Sequence, residues 1–504
     1  MPAEKDTIKV ERPPIITIMG HVDHGKSTLL DYIRKTSIVE TEAGGITQCL
    51  SAYEVHHKNK DGKEKRITFI DTPGHAAFSQ MRSRGASVAD IAVLVVSAED
   101  GVKQQTKEAF SSIKDAEVPY IVAINKTDLP GANVEMTKQN LAENNIFVEG
   151  YGGDVPFVPI SAKTGDGVDD LLDMMLLVSE MEGLEGNEEV KAKGVIIESH
   201  LDTKKGMSAT MVIKNGILKS GMYVVAEDSM SPVRIFENFL GKTIKEARFS
   251  SPIRIAGWSK LPAVGSAFTS YSTKKEAEEQ LKKNIEDLKS GAIKIITKEI
   301  NDGVFVLPLV IKADVAGMVE AIEKEIKKIH HDNVIIKIIG SGAGDVTEND
   351  IKSTCGAKDT VIIGFGVKAD ARALELAERM GVTIELFDII YKLTEWLEGK
   401  IKKSAPKILV EETVGKAKIM KIFSKTKNKQ VVGGKVIEGE IKTKATVKIT
   451  RRDNEIGKGE ILGLQQAKTT TENVAEGNEF GSMIESTIEI APGDILEAFI
   501  SVEK

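Results

Sequence analysis

Cysteine is scarce in this chain, whose 504 residues include only Cys49 and Cys355. Two cysteines cannot build a disulfide framework or a four-ligand zinc site, and so few are typical of a reducing compartment. Long apolar runs are absent as well, and the first residues are charged where a signal peptide would be apolar. We therefore expect a cytoplasmic protein that makes no contact with membranes.

An excess of positive charge is also missing, because the formal net charge is −7 and the isoelectric point is near 5.8. The overall composition thus gives no sign of nucleic-acid binding, and any contact with RNA must come from a local basic patch. The hydrophobic fraction of 41% and the charged fraction of 28% are those of ordinary globular domains. At this length we expect about three to four of them.

One short stretch, residues 20–28, fills the phosphate-binding pattern G-x-x-x-x-G-K-[ST] at every fixed position. Apolar β-branched residues before it predict a strand, and residues 28–34 predict a helix. In that context the backbone N–H groups and the helix dipole bind phosphate, Lys26 reaches the β- and γ-phosphates, and Ser27 ligates Mg²⁺. The predicted nucleotide contacts of this loop are Gly20, His21, Val22, Asp23, His24, Gly25, Lys26, Ser27 and Thr28.

A second motif, Asp71-Thr72-Pro73-Gly74-His75, ends a predicted strand. We expect Asp71 to hold Mg²⁺ through a water and Gly74 to bring a backbone N–H close to the γ-phosphate. Thr47, in a glycine-rich loop, is predicted to complete the Mg²⁺ ligands and to respond to the γ-phosphate. His75 stands where many small GTPases have glutamine, and an imidazole there can orient the attacking water.

A third motif, Asn125-Lys126-Thr127-Asp128, follows another apolar strand. Guanine presents an N1–H and an N2–H₂ side by side, and the Asp128 carboxylate can accept both, whereas adenine has no such donor pair. We expect Asn125 to tie this loop to the phosphate loop and the stem of Lys126 to lie over the base. A backbone N–H of the stretch Ser161-Ala162-Lys163 is predicted to meet the guanine O6. The motifs together predict a GTP- and GDP-binding site.

The pattern of strands and helices predicts a multidomain chain of mixed α/β and β class. The first domain is predicted as a doubly wound P-loop GTPase. Alternating short strands predict a β-barrel, with Asn215-Gly216 as a tight hairpin turn. A βαβ alternation predicts a small α/β domain, and short strands return at the end as a second barrel. The predicted parts are a flexible leader 1–13, the GTPase domain 14–185, a barrel 188–272, a helical connector 273–300, the small domain 302–388, a long helix 389–405 without a tertiary partner of its own, and the last barrel 406–504. The apolar positions of the long helix could be core, or the helix could be a rigid arm between domains.

Charge is distributed unevenly over the last barrel. Residues 407–452 contain 13 Lys and Arg against 4 Asp and Glu, whereas residues 453–504 contain 3 against 11. A basic half of a barrel can follow a phosphate backbone. A solvated strand face would give the same count, so both interpretations stay open.

The run Asp-Thr-Pro-Gly-His resembles the translational GTPases, whose histidine is held off by apolar gate residues until the ribosome repositions it. By that resemblance Val22 and Ile46 are the gate, His75 is the catalytic residue, and Asp23 is its partner in the phosphate loop. The order of domains resembles bacterial translation initiation factor two from Arg12 onward. Residues 44–48, 309–314, 340–345 and 389–391 carry this resemblance in addition to the GTPase motifs.

The resemblance implies a monomeric, ribosome-stimulated GTPase that uses Mg²⁺. Members of that family dock on the small ribosomal subunit, work beside other initiation factors, hold formyl-methionyl initiator tRNA with the last barrel, and promote joining of the large subunit. By the same resemblance the tRNA contacts are Gly434, Arg451, Arg452, Phe480 and Gly481. The family's two cysteines in this barrel are missing here, and Phe480 occupies one of their positions. The alternatives are an elongation-type or selenocysteine-type tRNA carrier and a nucleotide-gated scaffold without hydrolysis.

Overall fold

The computed structural model describes residues 9–35, 47–202, 204–290, 305–331, 333–354, 359–404, 409–452, 454–467 and 469–503. Two compact units, divided between Ser404 and Ala405, make up the chain, and each is described by itself. Among the described helices, none is long and apolar enough to cross a membrane.

The first domain alternates strands with helices. Its strands are β1 (Lys9–Glu11), β2 (Ile15–Gly20), β3 (Ser51–Lys58), β4 (Glu64–Asp71), β5 (Ile91–Ser97), β6 (Tyr120–Asn125), β7 (Phe157–Pro159) and β8 (Glu185–Asn187). Its helices are α1 (Lys26–Arg34), α2 (Ser79–Val88), α3 (Gln104–Asp115), α4 (Val134–Glu143) and α5 (Val168–Met181), and a 3₁₀ turn, Ala76–Phe78, precedes α2. Six strands form one sheet in the order β3-β4-β2-β5-β6-β7, parallel except for β3. Strands β2 and β5 are buried along their whole length because helices cover both faces. The predicted P-loop GTPase fold is confirmed.

The end of the predicted leader is ordered. Strand β1 pairs antiparallel with β8, and the Arg12 guanidinium donates to both carboxylate oxygens of Asp90 at 2.5 and 2.7 Å. The same carboxylate accepts from Lys214 Nζ at 2.9 Å. The prediction of a flexible leader is therefore wrong for residues 9–13. Its partners lie far along the chain, so no local pattern could show them.

The second domain is antiparallel throughout. Its strands are β9 (Lys193–Asp202), β10 (Gly206–Asn215), β11 (Ile217–Lys219), β12 (Tyr223–Ala226), β13 (Ser229–Pro232), β14 (Ile235–Asn238), β15 (Glu246–Arg248), β16 (Pro252–Ala256) and β17 (Ala267–Tyr271). A seven-stranded sheet, β13-β12-β17-β9-β10-β16-β14, and the pair β11–β15 enclose one apolar core. The predicted hairpin at Asn215-Gly216 is wrong, because β11 pairs with β15 and not with β10. The Asn215 side-chain oxygen accepts instead from the backbone N–H of Asn187 at 2.8 Å, which directs the chain away from a hairpin.

The third domain is a small parallel α/β sheet. After helix α6 (Lys274–Ser290), its elements are β18 (Phe305–Ala313), α7 (Ala316–Lys328), β19 (Val334–Ala343), α8 (Glu348–Ser353), β20 (Val361–Phe365), α9 (Ala371–Met380), β21 (Thr383–Phe387) and α10 (Ile390–Ser404). The strand order is β19-β18-β20-β21. Helix α8 and strand β21 were not predicted, because both are short and polar at several positions. Residues 291–300 of the predicted connector, and residues 301–304 after it, lie outside the described residues.

Helix α10 has a tertiary partner, so of the two interpretations of its apolar positions the structure agrees with the one that makes them core. Its side chains Ile390, Leu393, Leu397 and Ile401 are buried at helical spacing. The helix packs on α7 and β21, and the Trp396 ring lies 5.7 Å from that of Phe387. The long helix is therefore part of the first compact unit.

The second compact unit is the last β-barrel. Its strands are β22 (Leu409–Thr426), β23 (Lys429–Lys442), β24 (Thr446–Arg451), β25 (Asn454–Gln466), β26 (Thr469–Thr470), β27 (Asn473–Ala475), β28 (Glu479–Ser486) and β29 (Ile495–Glu503). Strands β22, β29, β24, β25, β28 and β23 pair antiparallel in that order, and β23 pairs again with β22, which closes the barrel. The interior holds aliphatic side chains and Phe480.

Candidate nucleotide site

The phosphate loop connects β2 to α1, as its sequence predicts. Gly25 precedes the first residue of α1 with a φ of +84°, and a Cβ there would lie 2.3 Å from the amide nitrogen of Asn125. Only glycine satisfies both conditions. The loop and the N-terminus of α1 therefore form the anion-binding turn that the pattern predicts.

Lys26 provides the positive charge at the bottom of this turn. Its ammonium group is buried and donates to the backbone oxygen of His21 at 2.6 Å. Burial lowers the pKa of Lys26 to about 8, although the nearby negative charge of Asp71 acts to raise it. A buried ammonium group that is hydrogen-bonded to a neutral carbonyl is well suited to bind an anionic ligand such as phosphate.

Three oxygen-bearing side chains meet beside Lys26. Ser27 Oγ lies 3.1 Å from Thr47 Oγ1, and Thr47 Oγ1 lies 3.4 Å from an oxygen of Asp71. Two hydroxyls and one carboxylate are the hard oxygen ligands that Mg²⁺ prefers beside phosphate. The residues present thus fit the predicted ion.

The guanine-recognition motif is tied to the phosphate loop through Asn125. Its amide donates to the backbone oxygen of His24 at 2.8 Å and accepts from the backbone N–H of Ala162 at 2.9 Å. The prediction that Asn125 joins these loops is confirmed. The Asp128 carboxylate accepts from Ser161 Oγ at 2.8 Å, which fixes its direction.

These loops enclose a cavity of about 460 Å³, a volume typical of small-molecule sites. The predicted site residues that line it are Val22, Asp23, Gly25, Lys26, Ser27, Thr28, Thr47, Gly74, His75, Asn125, Lys126, Asp128, Ala162 and Lys163. Leu129 joins them without having been predicted.

Other predicted residues support the cavity without lining it. They are Gly20, His21, His24, Asp71, Thr72, Pro73 and Ser161. The His24 ring, for example, is buried 3.4 Å from the backbone oxygen of Val95, and burial lowers its pKa to about 4. The Thr72 hydroxyl donates to the backbone oxygen of Ile18 at 2.7 Å. Ile46, predicted as half of the gate, lies outside the described residues.

Gly74 and His75 bring the second motif against the phosphate loop. A Cβ at Gly74 would lie 2.5 Å from Lys26 Nζ and 3.1 Å from Val22 Cγ2, so this approach requires glycine. His75 Nδ1 accepts from the backbone N–H of Ala77 at 3.0 Å, which puts the proton of the neutral ring on Nε2. Burial lowers the pKa of His75, which favours that neutral form.

Two residues that the sequence did not single out hold this arrangement. The buried Arg82 guanidinium donates to the backbone oxygens of Pro73, Gly74 and His75 and pairs with Glu108 at 2.8 Å. Gln105 accepts from the backbone N–H of Val22 at 2.9 Å. An arginine inside a helix and a glutamine at a helix start are common, so the sequence carried no signal for either role.

The residues predicted to contact tRNA do not all lie together on the last barrel. Gly434, Phe480 and Gly481 line an open cavity of about 990 Å³. Arg451 does not, because its guanidinium donates to both carboxylate oxygens of Asp494 at 2.8 and 2.9 Å. Arg452 follows it at the end of β24 and is also outside the lining.

The fold and the site together define a translational GTPase. Residues 11–180 match the elongation factor Tu GTP binding domain family, and residues 191–271 match elongation factor G domain 2. Residues 274–398 match the family described as translation-initiation factor 2. The chain is 41% identical over 501 residues to translation initiation factor IF-2 of Bacillus licheniformis, covering 98% of this chain and 69% of that protein. It therefore belongs to the translation initiation factor IF-2 family, whose members bind and hydrolyse guanine nucleotides.

A second relative matches over a similar extent of this chain. Translation initiation factor IF-2 of Nitratiruptor sp. is 41% identical over 511 residues, which cover 100% of this chain and 60% of that protein. Among solved structures, GDP-bound aIF5B from Aeropyrum pernix matches with 26% identity and a TM-score of 0.48, over 97% of this chain and 92% of that one.

Proposed function

We propose that this chain positions formyl-methionyl initiator tRNA on the small ribosomal subunit, promotes joining of the large subunit, and then hydrolyses GTP under stimulation by the ribosome. The observation that supports this best is that Thr47, Gly74 and His75 line the same cavity as Lys26 and Asp128. The two loops that change with the γ-phosphate in GTPase switches thus face one nucleotide site. The factor would act in the cytoplasm as a monomer beside other initiation factors.

Mg²⁺ is proposed to bind with GTP at the hydroxyls of Ser27 and Thr47 and the carboxylate of Asp71. Their separations of 3.1 and 3.4 Å support a shared ligand. When bound, the ion neutralises charge on the phosphate oxygens. Lys26 supplies the second positive charge from its buried position.

His75 is proposed to orient the attacking water. In hydrolysis the water oxygen bonds to the γ-phosphorus, the bond to the bridging oxygen breaks, and GDP, phosphate and a proton leave. The neutral ring carries its proton on Nε2, so it can donate to an oxygen in the cavity but cannot accept a proton while Nδ1 is bonded to Ala77. A catalytic arrangement therefore requires that the turn after Gly74 rearranges, which fits a residue that waits for the ribosome.

The test of this role is GTP turnover by the full chain with and without ribosomes. His75→Ala should bind GTP about as tightly as the parent and lose the stimulated turnover, because no other described ring lines the cavity at this point. Ser83→Ala, an exposed change on α2, is a matched control that should behave as the parent. Full stimulated turnover in His75→Ala would remove His75 from the mechanism.

The last barrel is proposed to hold the aminoacylated end of the tRNA. Its open cavity carries the exposed apolar side chains of Met420, Phe423, Leu462 and Met483, with Lys421 beside them. An apolar lining with an adjacent ammonium group suits a methionyl side chain next to a phosphate backbone. Because Arg451 is paired with Asp494, it is less suited to this role than the resemblance implied.

Binding of formylated and unformylated initiator tRNA to the full chain tests this part. Phe423→Ala should weaken binding of the formylated form, while Ile437→Ala, which is also exposed but lies outside the cavity lining, should not. Equal affinity for the two tRNA forms would refute formyl-methionine recognition. Equal affinity for initiator and elongator tRNA would favour the elongation-type alternative.

A further inference from the structure

Two loops that face the nucleotide cavity contact the same short segment at the start of α10. The His75 ring meets the Tyr391 ring edge-on, with centroids 4.3 Å apart and planes at 88°. Gln48, the neighbour of Thr47, donates its side-chain N–H to the backbone oxygen of Asp388 at 2.9 Å, across 340 positions of sequence. The position of α10 and the arrangement of both loops are therefore coupled.

The His75 ring is held in one orientation by contacts on two sides. Its Nδ1 accepts from Ala77, and the Phe78 ring lies 5.8 Å away at a steep angle. The Tyr391 ring is nearer, with its centroid 4.3 Å from that of the His75 ring. The lone pair on Nδ1 is thus directed at the backbone of Ala77, and a perpendicular aromatic contact of this kind favours that ring position.

The first turn of α10, which carries Tyr391, is anchored in the core by buried side chains. The neighbouring Ile390 is buried, as is Leu393 on the same helix, whereas the Tyr391 side chain is about half exposed. The Tyr391 ring therefore contributes little to the core, and it contacts the His75 ring. Helix α10 is also the last element before the second compact unit begins at Ala405.

We infer that Tyr391 is a positioning residue, which keeps the His75 ring turned toward Ala77 until movement of α10 withdraws it and frees the ring for GTP hydrolysis. This inference rests on the proposed role of His75. It adds that the resting rate is low because α10 restrains the ring, and that the ribosome removes this restraint. This restraint comes from the third domain, through Tyr391 on α10.

Replacement of the tyrosine in the full chain tests the inference. Tyr391→Ala should raise ribosome-independent GTP hydrolysis about threefold to tenfold, the factor that one aromatic contact of this geometry supplies. Tyr391→Phe keeps the ring and should restore the parental rate. Lys392→Ala, on the adjacent exposed position, is the control and should leave the rate unchanged.

Hydrogen exchange of the Ala77 amide gives a second readout. This N–H should exchange faster in Tyr391→Ala, because the His75 acceptor is no longer held against it, and at the parental rate in Tyr391→Phe. Tyr391→Leu keeps an apolar side chain without a ring and should behave as Tyr391→Ala. If both Tyr391→Ala and Tyr391→Leu match the parent in hydrolysis and in exchange, the inference is overturned.

The double variant Tyr391→Ala with His75→Ala separates this inference from the proposed function. Its rate should equal that of His75→Ala alone, because the gain passes through the imidazole. A gain that persists in the double variant would show that Tyr391 acts by another route and would overturn the inference. Failure of the proposed function has a different signature, which is full stimulated turnover in His75→Ala itself.

Discussion

Removal of the Arg82 side chain should loosen the turn that carries Gly74 and His75. The guanidinium is buried and donates to three successive backbone oxygens, at 3.4 Å for Pro73, 3.1 Å for Gly74 and closer still for His75. Its other end pairs with Glu108 at 2.8 Å. In Arg82→Ala these carbonyls lose their charged donor inside the protein.

The free energy that Arg82→Ala removes from this turn can be worked out from these contacts. A hydrogen bond from a charged donor contributes about 1.5–3 kcal/mol, and the three oxygens share one NH₂ group of the guanidinium, so we count it once. The Glu108 side chain is 34% exposed, so water takes over part of that interaction, and we assign it about 1 kcal/mol. The total is about 3 kcal/mol of local opening free energy, or about a 150-fold change in an opening equilibrium.

Hydrogen exchange of the amides in residues 74–82 measures this opening directly. Arg82→Ala should speed exchange there about 150-fold, and Glu108→Ala, which removes only the ion pair, about fivefold. Arg82→Lys should lie between them, because one ammonium group cannot span the carbonyls and the carboxylate together. The exposed Ser83→Ala should change nothing. Equal effects of Arg82→Ala and Glu108→Ala would refute the view that the guanidinium holds the turn.

Three further predictions concern charged side chains. Asp128→Asn should weaken GTP binding about 100-fold and improve binding of xanthosine triphosphate, because the new amide donates to the xanthine O2. Fluorescence titration with both nucleotides measures the ratio of the two affinities. Asp90→Asn should lower the free energy of unfolding by about 3 kcal/mol at neutral pH, since it leaves the guanidinium of Arg12 unpaired. Burial alone would raise the pKa of the Asp90 carboxyl, but the charges of Arg12 and Lys214 lower it overall. The stabilisation from this carboxylate is therefore lost only when acid protonates it, and thermal melts of parent and variant should converge as the pH falls below about 4. Burial raises the pKa of Glu198 to about 7, so parental stability should fall as the pH rises from about 4.5 to 7, and Glu198→Gln should flatten that slope.

Each of these predictions has a contradicting result. An unchanged ratio of the two nucleotide affinities in Asp128→Asn would exclude that carboxylate from base recognition. A variant at position 90 that melts with the parent at neutral pH would show that Arg12 finds another partner. A slope that persists in Glu198→Gln would assign the pH dependence to a different group.

The sequence alone determined which loops form the candidate nucleotide site, because the residues predicted to bind phosphate and guanine follow one another within short loops and line one cavity. Lys26 and Ser27 are fixed by their spacing from Gly20 and Gly25, and the strand before and the helix after them give this pattern its phosphate-binding context. The prediction that Asn125 joins two loops was confirmed for the same reason. The barrels also followed from local alternation of apolar and polar residues, and the parallel sheet of the first domain followed from continuous apolar strands.

Only the tertiary structure decided what holds these loops in place. Arg82, Gln105 and Tyr391 are ordinary residues on helices, and their roles arise from backbone atoms and rings that lie elsewhere in the chain. The same is true of Arg12, whose carboxylate partner Asp90 is 78 positions away. Local patterns encode which atoms can contact a ligand, but the contacts that restrain a loop depend on which elements the fold brings together, and that is a property of the whole packed chain.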